Sequence, residues 1–422
     1  MTMDAGPERV RTPRMQERSP GRVSGRASFE ARLLRRLLIA MGEPPVEFVL
    51  WDGERVTPAA TPQATVTITD RAALFALLRD PQMRLGDGYT TGQIRIEGDL
   101  VQLMLAIYRS GAAAGNAGFV TGRLAEWMHR PRRNSVSGSR DNIHHHYDLG
   151  NDFYRLWLGD TMAYTCAYFP AADATLNAAQ VAKMDHVCRK LRLKAGETVV
   201  EAGCGWGSLA LHMARHYGVR VRAFNISREQ LEYARDQARL GGLGERVEFV
   251  EDDYRSITGR YDVFASIGML EHVGRENYAE LGRVVRGCIG DRGRGLIHSI
   301  GRNRPEPLHP WIERRIFPGA YAPSLGEMMQ IFEPWELSVL DVENIRLHYA
   351  LTLRHWLAQF EAASTQVARM FDENFVRMWR LYLAGSIAGF ETGALQLFQV
   401  LFTTRDNNDL PLTRQFMYPA GP

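Results

Sequence analysis

The stretch VVEAGCGWGSLA, residues 199–210, decides the fold. A short apolar run ends at Glu201, and glycine then occupies alternate positions, at Gly203, Gly205 and Gly207. A helical pattern follows at once, so the stretch predicts a strand, a tight turn and a helix, which is the opening unit of a doubly wound α/β sheet. Glycine at such a turn permits a positive φ and lets a ligand approach the backbone closely. A glycine-rich turn that binds nothing is the alternative these residues leave open.

The pattern around this unit alternates between helix and strand, as an α/β sheet requires. A helix is predicted before the glycine turn, over residues 178–193, and the chain is largely helical over 352–390. A Pro-containing insertion over 308–329 interrupts the alternation. The predicted strands are Thr198–Ala202, Arg220–Asn225, Val247–Glu251, 263–267, 295–299, 337–345 and 397–403.

The 422-residue chain is long enough for more than one domain and divides into four predicted segments. The first is rich in Arg, Pro, Gly and Ser, which is typical of a disordered basic tail that either contacts anionic lipid headgroups or is inert. The segments are the tail at 1–28, a small α+β domain at 29–128, a polar linker at 129–140 and the α/β domain at 141–422.

The small N-terminal domain has its own helix and strand signals. An amphipathic helix is predicted over 29–41, and Asp70 is the predicted N-cap of a helix over 71–79. The stretch GDGYTTGQIRIEGDL, residues 86–100, predicts turns around a short strand, followed by a helix to about residue 108.

Composition argues against several classes of protein. The formal net charge of +3 does not indicate a dedicated nucleic-acid binder. No apolar run is long enough for a membrane-spanning helix, and the N-terminus lacks the apolar region of a secretion signal. The four cysteines form no C-x-x-C pair, and the three histidines at 144–146 point in different directions on a helix or strand, so no metal site is predicted. We therefore expect a cytoplasmic protein.

Polar residues after two predicted strands indicate a nucleotide site. Asn225, Ser227 and Gln230 follow the second strand, where nucleotide-binding α/β folds contact the ribose hydroxyls. Ser227 either shares this contact or only caps the next helix. Asp253 and Tyr254 follow the third strand, where an acid and an aromatic ring suit adenine.

Four further motifs contain residues of chemical interest, and each alone is compatible with ordinary packing. They are YTCAYF (164–169), GMLEHVG (268–274), GLIHSIG (295–301) and HYALTL (348–353). Together with HYDLGNDFY, EAGCGWGSLA, FNIS, DDYR and PWIERRIFPG they form an ordered set. This set resembles the cyclopropane-fatty-acyl-phospholipid synthase family, from about residue 29 to the C-terminus and most densely over 144–353.

The resemblance implies a Rossmann-like class I methyltransferase fold that binds S-adenosylmethionine (SAM). It also implies that the N-terminal domain handles lipid. The cofactor-binding residues it implies are Tyr164, Thr165, Glu201, Gly203, Gly205, Gly207, Asn225, Ser227, Gln230, Asp253 and Tyr254. Asn225 departs from the threonine that many relatives have, which bears on the ribose contact.

The same resemblance implies the reaction. A methylene group passes from SAM to the cis double bond of an unsaturated phospholipid acyl chain, through a carbocation that a bound bicarbonate deprotonates. The residues implied to hold bicarbonate are Cys166, Glu271, His298, Ile300 through its backbone, and Tyr349. The enzyme would act as a homodimer, peripherally associated with the inner face of the membrane.

Two alternatives to this reaction stay open from the sequence. Relatives of the same fold add methyl or methylene branches to acyl chains, and a few plant relatives methylate alkaloid nitrogens. A non-catalytic lipid carrier is the alternative from another class of protein.

The acyl chain needs an apolar tunnel, for which the sequence offers several wall residues. Each is also compatible with ordinary core packing. Tyr164, Tyr168 and Phe169 are further candidates, for cation–π stabilisation of the carbocation. The wall candidates are Trp311, Ile312, Ile316 and Phe317 in the insertion and Trp356, Phe360, Phe371 and Trp379 in the C-terminal helices.

Overall fold

The computed structural model of the protein describes residues 27–57, 61–113 and 149–418. The predicted linker at 129–140, the three consecutive histidines and nearly all of the predicted tail lie outside these residues, so the predicted domain boundaries stay predictions. The described chain contains one sheet of four strands and one of seven.

The four-stranded sheet and four helices form an N-terminal unit. The strand order is β2-β1-β3-β4, with β1 and β3 parallel and the other neighbours antiparallel. Leu34 of α1 and Leu74 of α2 pack with Val66 of β3 in the core of this unit. The elements are α1 (Phe29–Ala40), β1 (Val46–Val49), β2 (Arg55–Val56), β3 (Ala64–Ile68), α2 (Arg71–Arg79), α3 (Pro81–Thr91), β4 (Ile94–Glu97) and α4 (Leu100–Ala113).

The prediction of turns at the start of the 86–100 stretch is wrong, because the chain there is the second half of α3. Asp80 caps this helix, and the helix ends only at Gly92, whose φ is +79°. Gly86 serves close packing instead of a turn, since a Cβ at this position would lie 2.4 Å from the Trp311 indole nitrogen. The short strand predicted after it is present as β4.

The seven-stranded sheet has the order β10-β11-β9-β8-β5-β6-β7. The five strands from β9 to β7 are parallel, and β11 is antiparallel to both of its neighbours. This confirms the predicted doubly wound α/β sheet. The elements are α5 (Asn151–Leu158), α6 (Leu176–Lys190), β5 (Thr198–Ala202), α7 (Ser208–Tyr217), β6 (Arg220–Asn225), α8 (Arg228–Leu240), β7 (Val247–Glu251), β8 (Tyr261–Ile267), α9 (Tyr278–Cys288), β9 (Ile289–Gly301), α10 (Pro310–Arg315), α11 (Leu325–Phe332), β10 (Leu337–Asn344), α12 (Arg346–Ala362), α13 (Ser364–Met370), α14 (Glu373–Thr392) and β11 (Gln396–Thr404).

Helices cover both faces of this sheet. Successive residues of a strand point to opposite faces, and β5 shows the consequence. Val199 packs into a core with α6, α7 and α8, whereas Val200 packs into a second core with α9 and α11. Both faces of the central strands are therefore buried, whereas the edge strand β7 contains acidic as well as apolar residues.

A third layer joins the N-terminal unit to the sheet. Helices α5, α12 and α14 meet in an aromatic cluster in which Trp157 packs edge-on against Trp356 and Trp379, with ring centroids 5.5 and 5.7 Å away. Helices α3 and α4 of the N-terminal unit pack against α14. Within the described ranges, no helix combines the length and the apolar character needed to cross a bilayer.

Candidate functional site

The three positions after β5 are occupied by glycine for different structural reasons. All have positive φ, of 81°, 53° and 82° in chain order. A Cβ on Gly203 would lie 2.8 Å from Met269, and one on Gly207 would lie 2.8 Å from the Phe249 ring. Open space surrounds the corresponding position at Gly205. Gly207 therefore permits packing behind the turn, while Gly205 leaves room in front of it.

A cavity opens at the carboxyl ends of β5, β6 and β7, and we call it the loop cavity. Nine of the eleven predicted cofactor residues line it, namely Tyr164, Thr165, Glu201, Gly203, Gly205, Asn225, Gln230, Asp253 and Tyr254.

Two predicted cofactor residues do not line the loop cavity. Gly207 faces Phe249 behind the turn. Ser227 is buried as the N-cap of α8, where its Oγ accepts the Gln230 amide N–H at 3.4 Å. Of the two roles that the sequence left open for Ser227, the structure shows the cap.

Asn225 and Asp253 reach the loop cavity with part of their hydrogen-bonding capacity already used. Asn225 Nδ2 donates to Gln230 Oε1 at 2.8 Å and to the Gly205 carbonyl at 3.2 Å. The Asp253 carboxylate accepts from Arg255, with distances of 3.1 and 3.2 Å. These contacts fix both side chains beside the glycine turn.

A buried lysine that the sequence analysis did not single out also lines the loop cavity. Lys183 Nζ donates to Thr165 Oγ1 at 2.9 Å, and burial lowers the pKa of Lys183 to about 8. Glu201 is 2% exposed, and burial raises its pKa to about 7 while the Lys183 charge opposes the shift. The sequence contained one signal that could have drawn attention to this residue: Lys183 is one of only three lysines in the chain.

A second cavity, of about 960 Å³, lies next to the first, and we call it the large cavity. The two cavities share four wall residues, Tyr164, Thr165, Gly268 and His272. All five residues predicted to hold bicarbonate line the large cavity, namely Cys166, Glu271, His298, Ile300 and Tyr349.

Glu271 is the central acidic group of this set. Its Oε1 accepts the Ile300 amide N–H at 2.6 Å, while its buried Oε2 has no hydrogen-bond partner among the described residues. Burial raises the pKa of Glu271 to about 7, against the Ile300 hydrogen bond. The Ile300 N–H thus holds Glu271 in position. The resemblance had implied that the backbone of Ile300 contacts the bicarbonate itself.

His298 and Cys166 of this set are neutral. Burial lowers the pKa of His298 to about 3, and its Nδ1 is hydrogen-bonded to the Gln399 side-chain amide at 3.1 Å. Burial raises the pKa of the Cys166 thiol far above its usual value, and the thiol donates to the Ala167 carbonyl at 3.0 Å. Tyr349 packs against Phe390, with ring centroids 4.6 Å apart.

The loop that carries Tyr164, Thr165 and Cys166 is held from two sides. Gln180 Nε2 of α6 donates to the Thr165 carbonyl at 2.8 Å. On the other side, the Ala167 N–H donates to Thr352 Oγ1 of α12 at 3.0 Å. These bonds fix the wall between the two cavities.

The structure separates the predicted tunnel walls into two groups. Trp311, Ile312 and Phe317 line the large cavity. The others do not line this cavity and belong to the hydrophobic core that contains the aromatic cluster. Buried in this core are Ile316, Trp356, Phe360 and Trp379, and Phe371 packs against it.

Two aromatic residues predicted to stabilise a cation also lie elsewhere. Tyr168 stacks between His186 and His348, with ring centroids 4.3 and 4.6 Å away. Phe169 stacks on His355 at 5.4 Å. Neither lines the large cavity, whereas Tyr164 does.

The N-terminal unit supplies part of the large cavity. The resemblance implied a lipid-handling role for this unit, but not which of its residues line a cavity. Its wall residues come from α3, α4 and the residue after α1, and most are apolar. They are Met41, Pro81, Gln82, Leu85, Gly86, Met104, Ile107, Tyr108 and Gly111. In the described ranges, no group of His, Cys, Asp or Glu side chains is arranged to hold a metal ion.

Comparison with known proteins identifies the family. A family model described as mycolic acid cyclopropane synthetase matches residues 134–400, more than half of the chain. The chain belongs to this family. A second model, described as a domain of unknown function, matches residues 33–116.

Curated relatives extend over most of the chain. It is 36% identical to a probable fatty acid methyltransferase of Pseudomonas putida, over 89% of this chain and 96% of that protein. It is 39% identical to the cyclopropane-fatty-acyl-phospholipid synthase of Escherichia coli K12, over 64% and 69% of the two chains. The tuberculostearic acid methyltransferase UfaA1 of Mycobacterium tuberculosis is 32% identical, over 88% and 90%.

A solved structure agrees with this membership. The mycolic acid cyclopropane synthase CmaA1, complexed with SAH and CTAB, superposes with a TM-score of 0.60 and 28% identity over 63% of this chain and 98% of that one. The protein is therefore a SAM-dependent methyltransferase of the cyclopropane synthase family. A non-catalytic lipid carrier does not fit this membership.

Proposed function

We propose that the protein transfers a methylene group from SAM to the cis double bond of an unsaturated phospholipid acyl chain and closes a cyclopropane ring. The shared wall of the two cavities carries this proposal. Both cavities are lined by Tyr164, Thr165, Gly268 and His272. A methyl donor bound in the loop cavity and an acyl chain bound in the large cavity therefore meet at these residues. Holding two reactants in this way removes much of the entropic cost of their encounter.

The walls of the large cavity suit an acyl chain. Leu353 of α12, Leu381 of α14 and Leu397 of β11 line it together with the N-terminal unit. Apolar walls stabilise a hydrocarbon chain by removing it from water. They also keep water away from a reacting cation, which water would otherwise trap.

The residues beside the shared wall fit a bound bicarbonate. Glu271 Oε2 is buried and unpaired among the described residues, and His298 bonds to Gln399 through Nδ1, which leaves its Nε2 for the anion. A carboxyl group with a pKa near 7 is partly protonated at neutral pH and then also donates a hydrogen bond. Bicarbonate supplies a general base of low nucleophilicity when it is bound.

The neutral state of the neighbouring groups supports the same proposal. A thiolate is a strong nucleophile, and a thiol is not. Because burial keeps Cys166 as the thiol, the cysteine itself is protected from methylation by SAM. Ile300 holds Glu271 in position, and Cys166 and Tyr349 complete the polar surface that faces the anion.

The proposal has the enzyme work at the surface of the bilayer that contains its substrate. Helix α1 supports this, since Phe29 and Ile39 are 56% and 53% exposed and Arg32, Arg35 and Arg36 are exposed beside them. Apolar and basic side chains together bind anionic membrane surfaces. We further propose a homodimer, which light scattering of the purified protein tests directly.

Purified protein, SAM and vesicles of a cis-monounsaturated phospholipid test the function. We expect each modified acyl chain to gain one CH₂ by mass spectrometry. Removing bicarbonate from the buffer is expected to lower turnover, and adding it back to restore turnover. Turnover that is indifferent to bicarbonate would contradict the general-base assignment while leaving methyl transfer intact.

Methyl branching of the acyl chain is the second candidate function, and the names of two relatives favour it. One is called a probable fatty acid methyltransferase and another a tuberculostearic acid methyltransferase. A branch with a new double bond gives the same mass gain as a ring. Catalytic hydrogenation separates them, because the branched alkene takes up hydrogen under mild conditions that leave the ring intact.

A further inference from the structure

The strand that carries His298 continues toward the opening of the large cavity. His298, Ile300 and Arg302 all line this cavity. Alternate residues of an extended chain share one face, which explains why these three point the same way. At about 3.3 Å per residue, Arg302 lies about 13 Å along the chain from His298. The exposed residues Asn303 and Arg304 also line the cavity and mark its opening.

Arg302 is mostly buried and only partly paired. Its side chain is 14% exposed, and its Nη1 forms an ion pair with Glu306 Oε2 at 2.9 Å. Its Nε is buried and has no hydrogen-bond partner among the described residues. An unpaired buried N–H of a charged group costs more free energy than an ordinary unpaired donor, so a turn of the guanidinium that brings this N–H to an anion at the opening is favourable.

Among the described residues, two arginines and one acidic residue line the opening. Glu306 is shared by the two arginines, because Arg304 Nε also donates to Glu306 Oε1 at 2.8 Å. Apart from these three, the only Asp, Glu, Lys or Arg among the described residues of this wall is Glu271 at the inner end.

We propose that Arg302 binds the phosphate of the phospholipid substrate at the opening of the large cavity, while the acyl chain extends inward to Glu271. This inference rests on the proposed function and assigns the headgroup end of the same substrate. The guanidinium pairs with phosphate oxygens through two parallel N–H donors, and Arg304 retains Glu306 when Arg302 turns to the phosphate.

Phosphate is favoured over the carboxylate of a free fatty acid, because two guanidinium groups at one opening match an anion with several exposed oxygens.

The test compares Arg302→Met with wild type on three substrates with the same unsaturated chains: phosphatidylglycerol, diacylglycerol and the free fatty acid. Each is diluted into micelles of uncharged detergent, so that the charge of a membrane surface does not contribute. We expect wild type to prefer phosphatidylglycerol to diacylglycerol in kcat/KM by about tenfold or more, and R302M to lose this preference. R302K is expected to recover part of it.

Arg283→Met is the matched control. Arg283 lies on α9, pairs with Glu280 and does not line either cavity. Its loss should leave the preference between the lipids unchanged. An unchanged preference in R302M, or one lost equally in R283M, would overturn the assignment. A wild-type preference for the free fatty acid that R302M abolishes would also overturn it, because the anion would then be a carboxylate.

A binding measurement keeps this inference separate from the proposed function. Short-chain phosphatidylglycerol, below its micelle concentration, is titrated calorimetrically into wild type and R302M. About tenfold weaker binding to R302M supports the phosphate site even if wild type modifies no acyl chain, in which case only the proposed function fails. Equal binding to both proteins overturns the phosphate site even if ring formation is observed.

Discussion

The Ile300 amide N–H and Glu271 Oε1 are 2.6 Å apart, which fixes a buried carboxyl group in the wall of the large cavity. The bond joins the end of β9 to the short 3₁₀ turn at Leu270–His272 after β8. These two strands are neighbours in the sheet. The sheet itself therefore positions the acid beside the wall that the two cavities share.

Glu271→Gln is expected to retain SAM binding and lose most activity. Gln keeps an oxygen that accepts the Ile300 N–H, so the fold of the site is preserved, but it cannot exchange a proton. We expect kcat to fall by about a hundredfold or more, the range found for groups that assist proton transfer. Turnover and calorimetric SAM binding are measured in parallel, with Glu280→Gln on the exposed face of α9 as the control. Near-normal turnover in E271Q would reject the role of Glu271.

The stability of the protein should depend on pH through Glu271. Burial raises the folded-state pKa of this carboxyl from 4.5 to about 7, so its contribution to stability is present below pH 4.5 and is lost as the pH rises through 7. The shift corresponds to about 3 kcal/mol. His298 and His272 act in the opposite sense, because burial lowers the pKa of each, to about 3 and about 4.

The difference between wild type and E271Q isolates this contribution. We expect wild type to lose about 3 kcal/mol of unfolding free energy relative to E271Q between pH 4.5 and pH 8. Urea unfolding across this range measures it. A difference between the two proteins that stays constant with pH would contradict the raised pKa.

Lys183→Met should weaken SAM binding. The ammonium group holds Thr165 at 2.9 Å and opposes the charge of the buried Glu201, so its loss disturbs the wall of the loop cavity on two sides. We expect the Kd for SAM to rise by about tenfold, as for the loss of a hydrogen bond to a charged group. Lys194→Met is the control, since Lys194 is exposed and pairs with Asp409. Unchanged SAM affinity in K183M would contradict a role of the Lys183 ammonium group in SAM binding.

The sheet was the most predictable part of the structure. The strands Thr198–Ala202, Arg220–Asn225 and Val247–Glu251 have the predicted bounds, because each is a short segment with apolar residues in a run or in alternation, bounded by turn and helix signals. Strand β9 begins at Ile289, six residues before the predicted start. The polar and glycine-rich residues of its first half gave no strand pattern, and β8 pairs with them through an irregular register.

Packing across long sequence distances accounts for what the sequence did not show. Gly86 indicates a turn in isolation, and only its contact with Trp311 explains why it lies in a helix. Similarly, an apolar residue such as Trp379 has the same sequence signal in a core as in a cavity wall. The walls that α3 and α4 contribute depend on how the N-terminal unit packs on α14, which local pattern does not encode.

The site was predictable where a motif carried its chemistry. Cys166, Glu271, His298 and Tyr349 come from four separate motifs and line one cavity, although each motif alone was also compatible with an ordinary structural role. Gly207 and Ser227 belong to equally clear motifs, but Gly207 permits close packing behind the glycine turn and Ser227 caps helix α8. The sequence does not distinguish these cases, because a cap and a ligand contact need the same residue types.

The fate of a labelled methyl group tests ring formation most directly. The purified enzyme is incubated with SAM that has a fully deuterated methyl group and with a cis-monounsaturated phospholipid, and the product is examined by mass spectrometry and NMR. Ring closure requires one deuteron to leave the new methyl group, so we predict a cyclopropane that retains two of the three. A product that retains all three as a methyl branch, or no labelled lipid at all, would contradict the account.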